Sequence, residues 1–122
     1  MPVPSPFHER IAPLCTSFRW KEWAGYYAVS SFGVCHDREY NAFRQAAGLL
    51  DVSPLFKYDL KGPDAALLLT RLTVRDITKL KVGRVVYTPW CDGRGHVIDD
   101  GTCVRLAEEH FRLTAAAPSF HW

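Results

Sequence analysis

Residues 84–106 read RVVYTPWCDGRGHVIDDGTCVRL, and this stretch decides the fold. β-branched and aromatic residues fill both arms, and the glycine-containing segment 91–95 lies between them, so the stretch predicts a hairpin of two strands. Asp99 and Asp100 interrupt the second arm, although aspartate is depleted inside strands. Because successive side chains of a strand point to opposite faces, we expect the two carboxylates on opposite faces of the hairpin.

Asp100 is the candidate functional residue of this hairpin. With unbroken alternation it shares a face with Ile98, Val104 and Leu106, and an ionised carboxylate in an apolar row is costly unless a partner hydrogen-bonds it. Gly101 follows directly and indicates either a bulge, which would reverse the facing of later residues, or the close approach of a ligand. The structural alternative is a pair of solvated acids at a sheet edge.

The composition is that of an ordinary globular protein. The chain has 122 residues, a net charge of +2 and no run of Lys or Arg of the kind that binds nucleic acid. No segment approaches the ~20 apolar residues that cross a bilayer, and residues 1–10 lack the apolar core of a signal peptide. The four cysteines form no CxxC pair, so we expect no metal site, reduced thiols and a cytoplasmic protein.

Two segments outside the hairpin predict helices. Asp37 is a good N-cap for the first, whose Tyr40, Phe43 and Ala47 would form one apolar face. The second begins after residues 62–64, where proline at the first helical position and an early aspartate favour a helix start. The predicted apolar stripe of this second helix consists of Ala65, Leu68, Leu69 and Leu72.

Alternating residues predict a strand over 56–61, with Phe56, Tyr58 and Leu60 on its buried face. A last strand is predicted over 111–115. The resulting order of strand, helix and three strands predicts an α+β fold, in which helices cover one face of an antiparallel sheet.

The two ends of the chain set the predicted domain limits. Residues 1–10 are rich in proline and predict an irregular N-terminal arm. Residues 11–122 then form the predicted domain. Two aromatic residues stand among the last three, 120–122, and they suggest an element that continues further, so this domain is expected to be partial.

Five short strings occur in an order that is typical of one family. In this order they resemble the N-terminal part of the glycine cleavage T-protein, a tetrahydrofolate-dependent aminomethyltransferase. The resemblance covers residues 11–117. The strings are WAGYY at 23–27, GLLDVS at 48–53, KGPDA at 61–65, LTxxDxxxLxxG at 72–83 and GxVIDD at 95–100.

The resemblance implies a fold, a cofactor and a site. Family members are larger proteins that hold tetrahydrofolate in a central channel and take a one-carbon unit from a small methyl or aminomethyl donor, with a lipoyl carrier protein as a further candidate partner. The second aspartate of the IDD string, Asp100, is implied to be catalytic and to contact the folate. Tyr87, Pro54 and Leu55 are implied to line the same folate site.

The chain also departs from the family pattern, which indicates a divergent branch. Pro54 replaces a histidine, Phe56 a glycine, Val104 a tyrosine and Ala115 an asparagine. Two functions therefore stay open: folate-dependent one-carbon transfer, and a non-catalytic folate-binding protein with a regulatory or accessory role. A purely structural module is a third reading, favoured only if the two acids are solvated.

Overall fold

The computed structural model describes residues 1–116, and the chain divides into two compact units, Met1–Pro54 and Leu55–Trp122. The boundary predicted between residues 10 and 11 does not coincide with this division. The chain end at 120–122, on which the expectation of a partial domain depended, lies outside the described residues.

The first unit contains a two-stranded antiparallel sheet of β1 (Arg19–Trp23) and β2 (Tyr26–Ser31). Helix α1 (His8–Ile11) precedes it and continues into a 3-10 turn, Ala12–Leu14. Near the N-terminus, the backbone of Val3 forms a parallel bridge with the start of β2. The proline-rich start is therefore tied to the hairpin and enters a short helix, which differs from the irregular arm that we predicted.

Helix α2 (Asp37–Gln45) follows the hairpin of the first unit. Asp37 is its first helical residue, and the N-cap position belongs to His36, whose side chain makes no capping hydrogen bond. The prediction of Asp37 as the N-cap was thus wrong by one residue. Ala47 lies beyond the end of α2, and Tyr40 and Phe43 are exposed, so the predicted apolar face is shorter and is not covered.

The second unit is an α+β structure, and this fold class was predicted. Its antiparallel sheet has the strand order β3-β6-β5-β4, and helix α3 (Ala65–Leu72) and a 3-10 turn (Ile77–Lys79) lie between β3 and β4 in the chain. The strands are β3 (Phe56–Lys61), β4 (Val85–Cys91), β5 (Val97–Ala107) and β6 (His110–Ala115).

The core of the second unit lies between the sheet and α3. Leu69 of α3, Ile77, and Phe111 of β6 are completely buried there, as is the Cys103 side chain of β5. On β3 the predicted alternation is confirmed, because Phe56, Tyr58 and Leu60 are partly buried and the three residues between and after them are exposed.

The predicted apolar stripe of α3 was wrong at two of its four positions. Leu68 and Leu72 keep 48% and 49% of their surface exposed, whereas Ala65 and Leu69 are buried. The next buried residue is Thr73, so the buried positions follow a spacing of four residues along one line of the helix. Leu68 and Leu72 each come one residue before a buried position, so the helix turns their side chains away from the core.

Candidate functional site

The site residues are positioned by the register of the β4–β5 hairpin. Tyr87 pairs with Thr102, and Pro89 pairs with Asp100. The ladder is continuous through Gly101, and its irregularities lie elsewhere, between Trp90 and Cys91 and in the 105–107 segment. The alternation of side chains is therefore unbroken from 99 to 104, and no bulge reverses the facing of residues after Asp100.

One sheet face packs against α3, and the opposite face carries the candidate site. We call the latter the open face. Because directly paired residues share a face, Asp100 and Thr102 lie there together with Pro89 and Tyr87. The open face also includes Lys57, Asp59, Lys61, Val85, Val104, His110, Arg112 and Thr114.

Asp100 and Tyr87 are diagonal neighbours on the open face. Diagonal positions across an antiparallel ladder lie about 7–8 Å apart, which is within reach of an aromatic side chain. Both side chains are exposed, and Tyr87 keeps 58% of its surface. The structure thus brings together two of the four residues that the resemblance implied for folate.

The Asp100 carboxylate has no hydrogen bond or ion pair within residues 1–116. The backbone N–H of Asp100 donates to Oδ1 of Asp99 at 2.8 Å, so the local backbone is held while the Asp100 carboxylate stays available. Asp99 lies on the α3 side of the sheet, opposite Trp90. Burial raises the pKa of the Tyr58 hydroxyl, and the negative charge of Asp99 raises it further.

Gly101 is required by the neighbouring strand. A Cβ atom at this position would clash with the carbonyl oxygen of Thr114 and would lie 3.3 Å from the Trp90 ring. The glycine permits β6 to approach β5 on the α3 side of the sheet. The predicted bulge at Gly101 is wrong, because the ladder is regular there, and strand packing accounts for the glycine. The close approach of a ligand stays a prediction.

Leu55 lies at the same end of the sheet as Asp100, two strands away. Phe56 and Gly101 both pair with Ala115, one from each side of β6. Leu55 comes just before Phe56 and Asp100 just before Gly101, so Leu55 and Asp100 lie at the same height of the sheet. Two strand spacings correspond to roughly 10 Å. Pro54 is buried in the first unit, where it lines a pocket of that unit.

The departures from the family pattern fall on both faces. Val104 lies on the open face, opposite Val85. Ala115 is 2% exposed and faces α3 with Phe56. Only the first of these two substitutions therefore changes the surface that carries Asp100.

The open face has a second polar group that the sequence analysis missed. Arg112 donates to Asp59 through two nitrogens, Nε at 2.7 Å and Nη2 at 3.0 Å. Hydrogen bonding from Arg112 is the main cause that lowers the pKa of the Asp59 carboxyl to about 2, and nearby His110 contributes to the same lowering. The charged exposed side of β3 was visible in the sequence, but the partner depends on the β3–β6 register.

Groups of three or more His, Cys, Asp or Glu that could hold a metal ion do not occur within residues 1–116. Over the same residues, no helix is long and apolar enough to cross a membrane. The candidate site is thus a carboxylate and an aromatic ring on an exposed sheet face.

The family model for the GCVT N-terminal domain matches residues 8–121. The chain belongs to this family. A crystal structure of the glycine cleavage system aminomethyltransferase T from Bartonella henselae superposes with a TM-score of 0.86 and 26% sequence identity, over 99% of this chain and 33% of that one. The predicted resemblance to the T-protein family is confirmed.

Curated relatives of this GCVT-family chain have several names. Trimethylamine-oxide aldolase of Ruegeria pomeroyi is 36% identical over 107 residues, which are 87% of this chain and 13% of that protein. Sarcosine oxidase subunit alpha of Corynebacterium sp. (strain P-1) is 45% identical over 62% of this chain and 8% of its own length. Aminomethyltransferase of Desulforamulus reducens is 36% identical over 69% of this chain and 24% of its own length. The chain therefore spans less than a quarter of each of these relatives.

Proposed function

We propose that this chain provides part of a tetrahydrofolate site for one-carbon transfer, with Asp100 as the catalytic residue. The observation that carries the proposal is the placement beside Tyr87, on the open face, of an Asp100 carboxylate that has no partner among residues 1–116. Membership of the GCVT N-terminal domain family supports the reaction class.

The residues of the open face fit a folate. A pterin is planar and carries polar nitrogens, so an aromatic ring can stack on it and a carboxylate can hydrogen-bond or polarise it. Tyr87 supplies the ring and Asp100 the carboxylate, while Leu55 adds apolar surface at the same sheet end. When bound, tetrahydrofolate itself would supply the acceptor chemistry for the one-carbon unit.

Asp100 would act by charge and position. A carboxylate that is held beside a reacting nitrogen can orient its proton and stabilise positive charge that develops there. The backbone of Asp100 is fixed by its hydrogen bond to Asp99, so less reorganisation is needed on binding. Asp99 lies on the α3 side of the sheet, and its proposed role is to accept the hydrogen bond from the backbone N–H of Asp100.

The donor is proposed by class only. Relatives named trimethylamine-oxide aldolase, sarcosine oxidase subunit alpha and aminomethyltransferase favour a methyl or aminomethyl donor. A lipoyl carrier protein would be the partner if the unit is aminomethyl. Folate binding without transfer would favour the alternative function, an accessory folate-binding protein.

Binding of tetrahydrofolate to the 122-residue chain tests the proposal, measured by calorimetry under anaerobic conditions. Asp100→Asn keeps the shape of the side chain but removes its charge, and loss of a charged hydrogen bond corresponds to about tenfold weaker binding or more. Tyr87→Leu should also weaken binding. Asp99→Asn is the matched control and should leave affinity nearly unchanged.

Two results would contradict the proposed site. One is tetrahydrofolate binding that is equally weakened by Asp99→Asn and Asp100→Asn. The other is binding that neither Asp100→Asn nor Tyr87→Leu changes. Turnover is expected to be absent from the 122-residue chain, because it spans 33% of the solved aminomethyltransferase, and formation of a one-carbon folate by this chain would contradict that expectation.

A further inference from the structure

A third residue of the open face lies next to the two groups that are proposed to hold folate. Thr102 of β5 pairs directly with Tyr87 of β4, and it comes two residues after Asp100 on the same strand. Directly opposite residues have Cβ atoms about 4.5–5.5 Å apart, and two residues along a strand span ~7 Å. Asp100, Tyr87 and Thr102 therefore form a triangle whose sides are comparable with the length of a bicyclic ring.

Within residues 1–116 the fold makes no use of the Thr102 hydroxyl. Other threonine hydroxyls of the chain donate to a carbonyl or a carboxylate, even where the residue is exposed, and they belong to Thr16, Thr70, Thr73, Thr78 and Thr88. The hydroxyls of Thr102 and Thr114 have no such bond in the described part of the chain, and both lie on the open face. The open face thus presents hydroxyl groups that remain available to a ligand.

The sheet itself gives no reason for a hydroxyl at position 102. Threonine and valine are both β-branched and both favour strands, so a valine would fill the same place in β5. Thr102 is exposed, and its hydroxyl supports no buried network. Two residues further along the same face, Val104 lies opposite Val85. The change from valine to threonine along β5 therefore coincides with the approach to Tyr87 and Asp100.

A folate ring that contacts only Tyr87 and Asp100 keeps one rotational freedom. A ring stacked on Tyr87 can slide and turn in its own plane, and a hydrogen bond to Asp100 fixes one point of it. Rotation about that point would turn the reacting nitrogen out of line with the donor of the one-carbon unit. A second hydrogen bond at another point of the ring stops this rotation, and reaction rates depend strongly on such orientation.

We propose that the Thr102 hydroxyl hydrogen-bonds the polar edge of the pterin and fixes the orientation of the ring over Tyr87. A hydroxyl both donates and accepts, so it can pair with either kind of polar atom on that edge. This inference rests on the folate site proposed above and adds the residue that sets the in-plane orientation. Thr114 pairs with Thr102 from β6, one strand further from Tyr87, and takes no part.

Tetrahydrofolate binding to the 122-residue chain, measured by calorimetry under anaerobic conditions, tests the inference. Thr102→Val keeps the branched shape but removes the hydroxyl, so binding should weaken about three- to tenfold, as expected for a neutral hydrogen bond. Thr102→Ser retains the hydroxyl and should bind within about twofold of the parent chain. Thr114→Val is the matched control on the same row of the sheet and should bind like the parent chain.

A second measurement locates the contact. With the threonine methyl groups isotopically labelled, the NMR spectrum of the complex should show a nuclear Overhauser effect between the Thr102 methyl and the ring protons of tetrahydrofolate. The Thr114 methyl should show none. A residue that only supported the strand would not give this contact. The melting temperatures of Thr102→Val and the parent chain should agree, because both residues favour strands.

The inference and the proposed folate site fail in different ways. If Asp100→Asn weakens binding but Thr102→Val binds as tightly as the parent chain, the folate site stands and the role of Thr102 is overturned. An equal loss in Thr102→Ser and Thr102→Val would also overturn this role, because side-chain shape would then be responsible. So would an equal loss in Thr114→Val, or a saturated complex without the methyl contact. A parent chain that does not bind tetrahydrofolate overturns both.

Discussion

The two units of this chain contain similar side chains but bury them differently. In the second unit, Leu69, Ile77 and Phe111 are completely enclosed between the sheet and α3. In the first unit, Phe18 and Leu50 are largely exposed, although a hairpin and two helices are formed. Regular secondary structure therefore does not imply an enclosed core. The stability of each unit depends on which side chains it buries.

Polar contacts connect segments of the first unit that share no apolar core. The Glu39 carboxylate accepts the backbone N–H groups of Phe32 and Gly33 at 2.9 and 3.2 Å, which links α2 to the end of β2. Ser5 donates to Asp51 at 2.6 Å and connects the N-terminal segment with residues near the end of the unit. The second unit should thus respond most to cavities, and the first to lost hydrogen bonds.

The largest expected effect is a cavity in the core of the second unit. Leu69→Ala should lower the free energy of unfolding by about 2–5 kcal/mol, because the removed side chain is completely buried. Leu68→Ala, one residue away on the same helix, is half exposed and should cost much less. Urea unfolding followed by circular dichroism measures both, and equal losses would contradict the assigned helix orientation.

A second prediction concerns the close approach of β5 and β6. Gly101→Ala would place a methyl group against the carbonyl oxygen of Thr114, so the two strands must separate. Overpacking of this kind costs about 1–3 kcal/mol. Gly93→Ala is the matched control, since no heavy atom lies within 4 Å of a Cβ there. Thermal melting of both variants is the measurement, and a Gly101→Ala protein as stable as Gly93→Ala would contradict the packing.

A third prediction probes the polar link of the first unit. Glu39→Ala leaves two backbone N–H groups without their acceptor, and we expect a loss of about 1–2 kcal/mol. Hydrogen exchange at the amides of Phe32 and Gly33 should accelerate, while amides of the second unit keep their rates. Asn41→Ala on the exposed side of the same helix is the control. Unchanged exchange in Glu39→Ala would show that these contacts do not hold the unit.

Local patterns predicted much of the second unit. Alternation placed Phe56, Tyr58 and Leu60 on the buried face, and the rule of opposite faces separated Asp99 from Asp100. These inferences succeed because a strand has a fixed period of two residues. The stripe of α3 was harder, since three consecutive leucines at 67–69 leave the rotation of the helix undetermined.

Other features depend on contacts between residues far apart in the chain. The role of Gly101 follows from the position of Thr114, and the partner of Asp59 follows from the pairing of β3 with β6. The same limit applies to the candidate site. Placement of Asp100 on one face follows from the strand pattern, but its proximity to Tyr87 requires the exact hairpin register.

The smallest expected effect is the acid dependence of the Asp59–Arg112 pair. The pKa of Asp59 is lowered from 3.8 to about 2, mainly by its hydrogen bonds from Arg112. A depressed carboxyl pKa in the folded state means that the unfolded chain takes up the proton first as pH falls. The pair therefore contributes its stability fully above about pH 4 and loses it between pH 4 and 2.

Asp59→Asn removes this particular acid dependence and isolates it. Between pH 4 and 2 the parent protein should lose slightly more stability than the variant, and the difference should shrink in high salt because the pair is exposed to solvent. Melting temperatures at several pH values in low and high salt measure this difference. A variant that loses as much stability as the parent over the same interval would show that Asp59 does not titrate with a lowered pKa. A difference that appeared above pH 5 would assign the effect to another group, since Asp59 is ionised there in both the folded and the unfolded state.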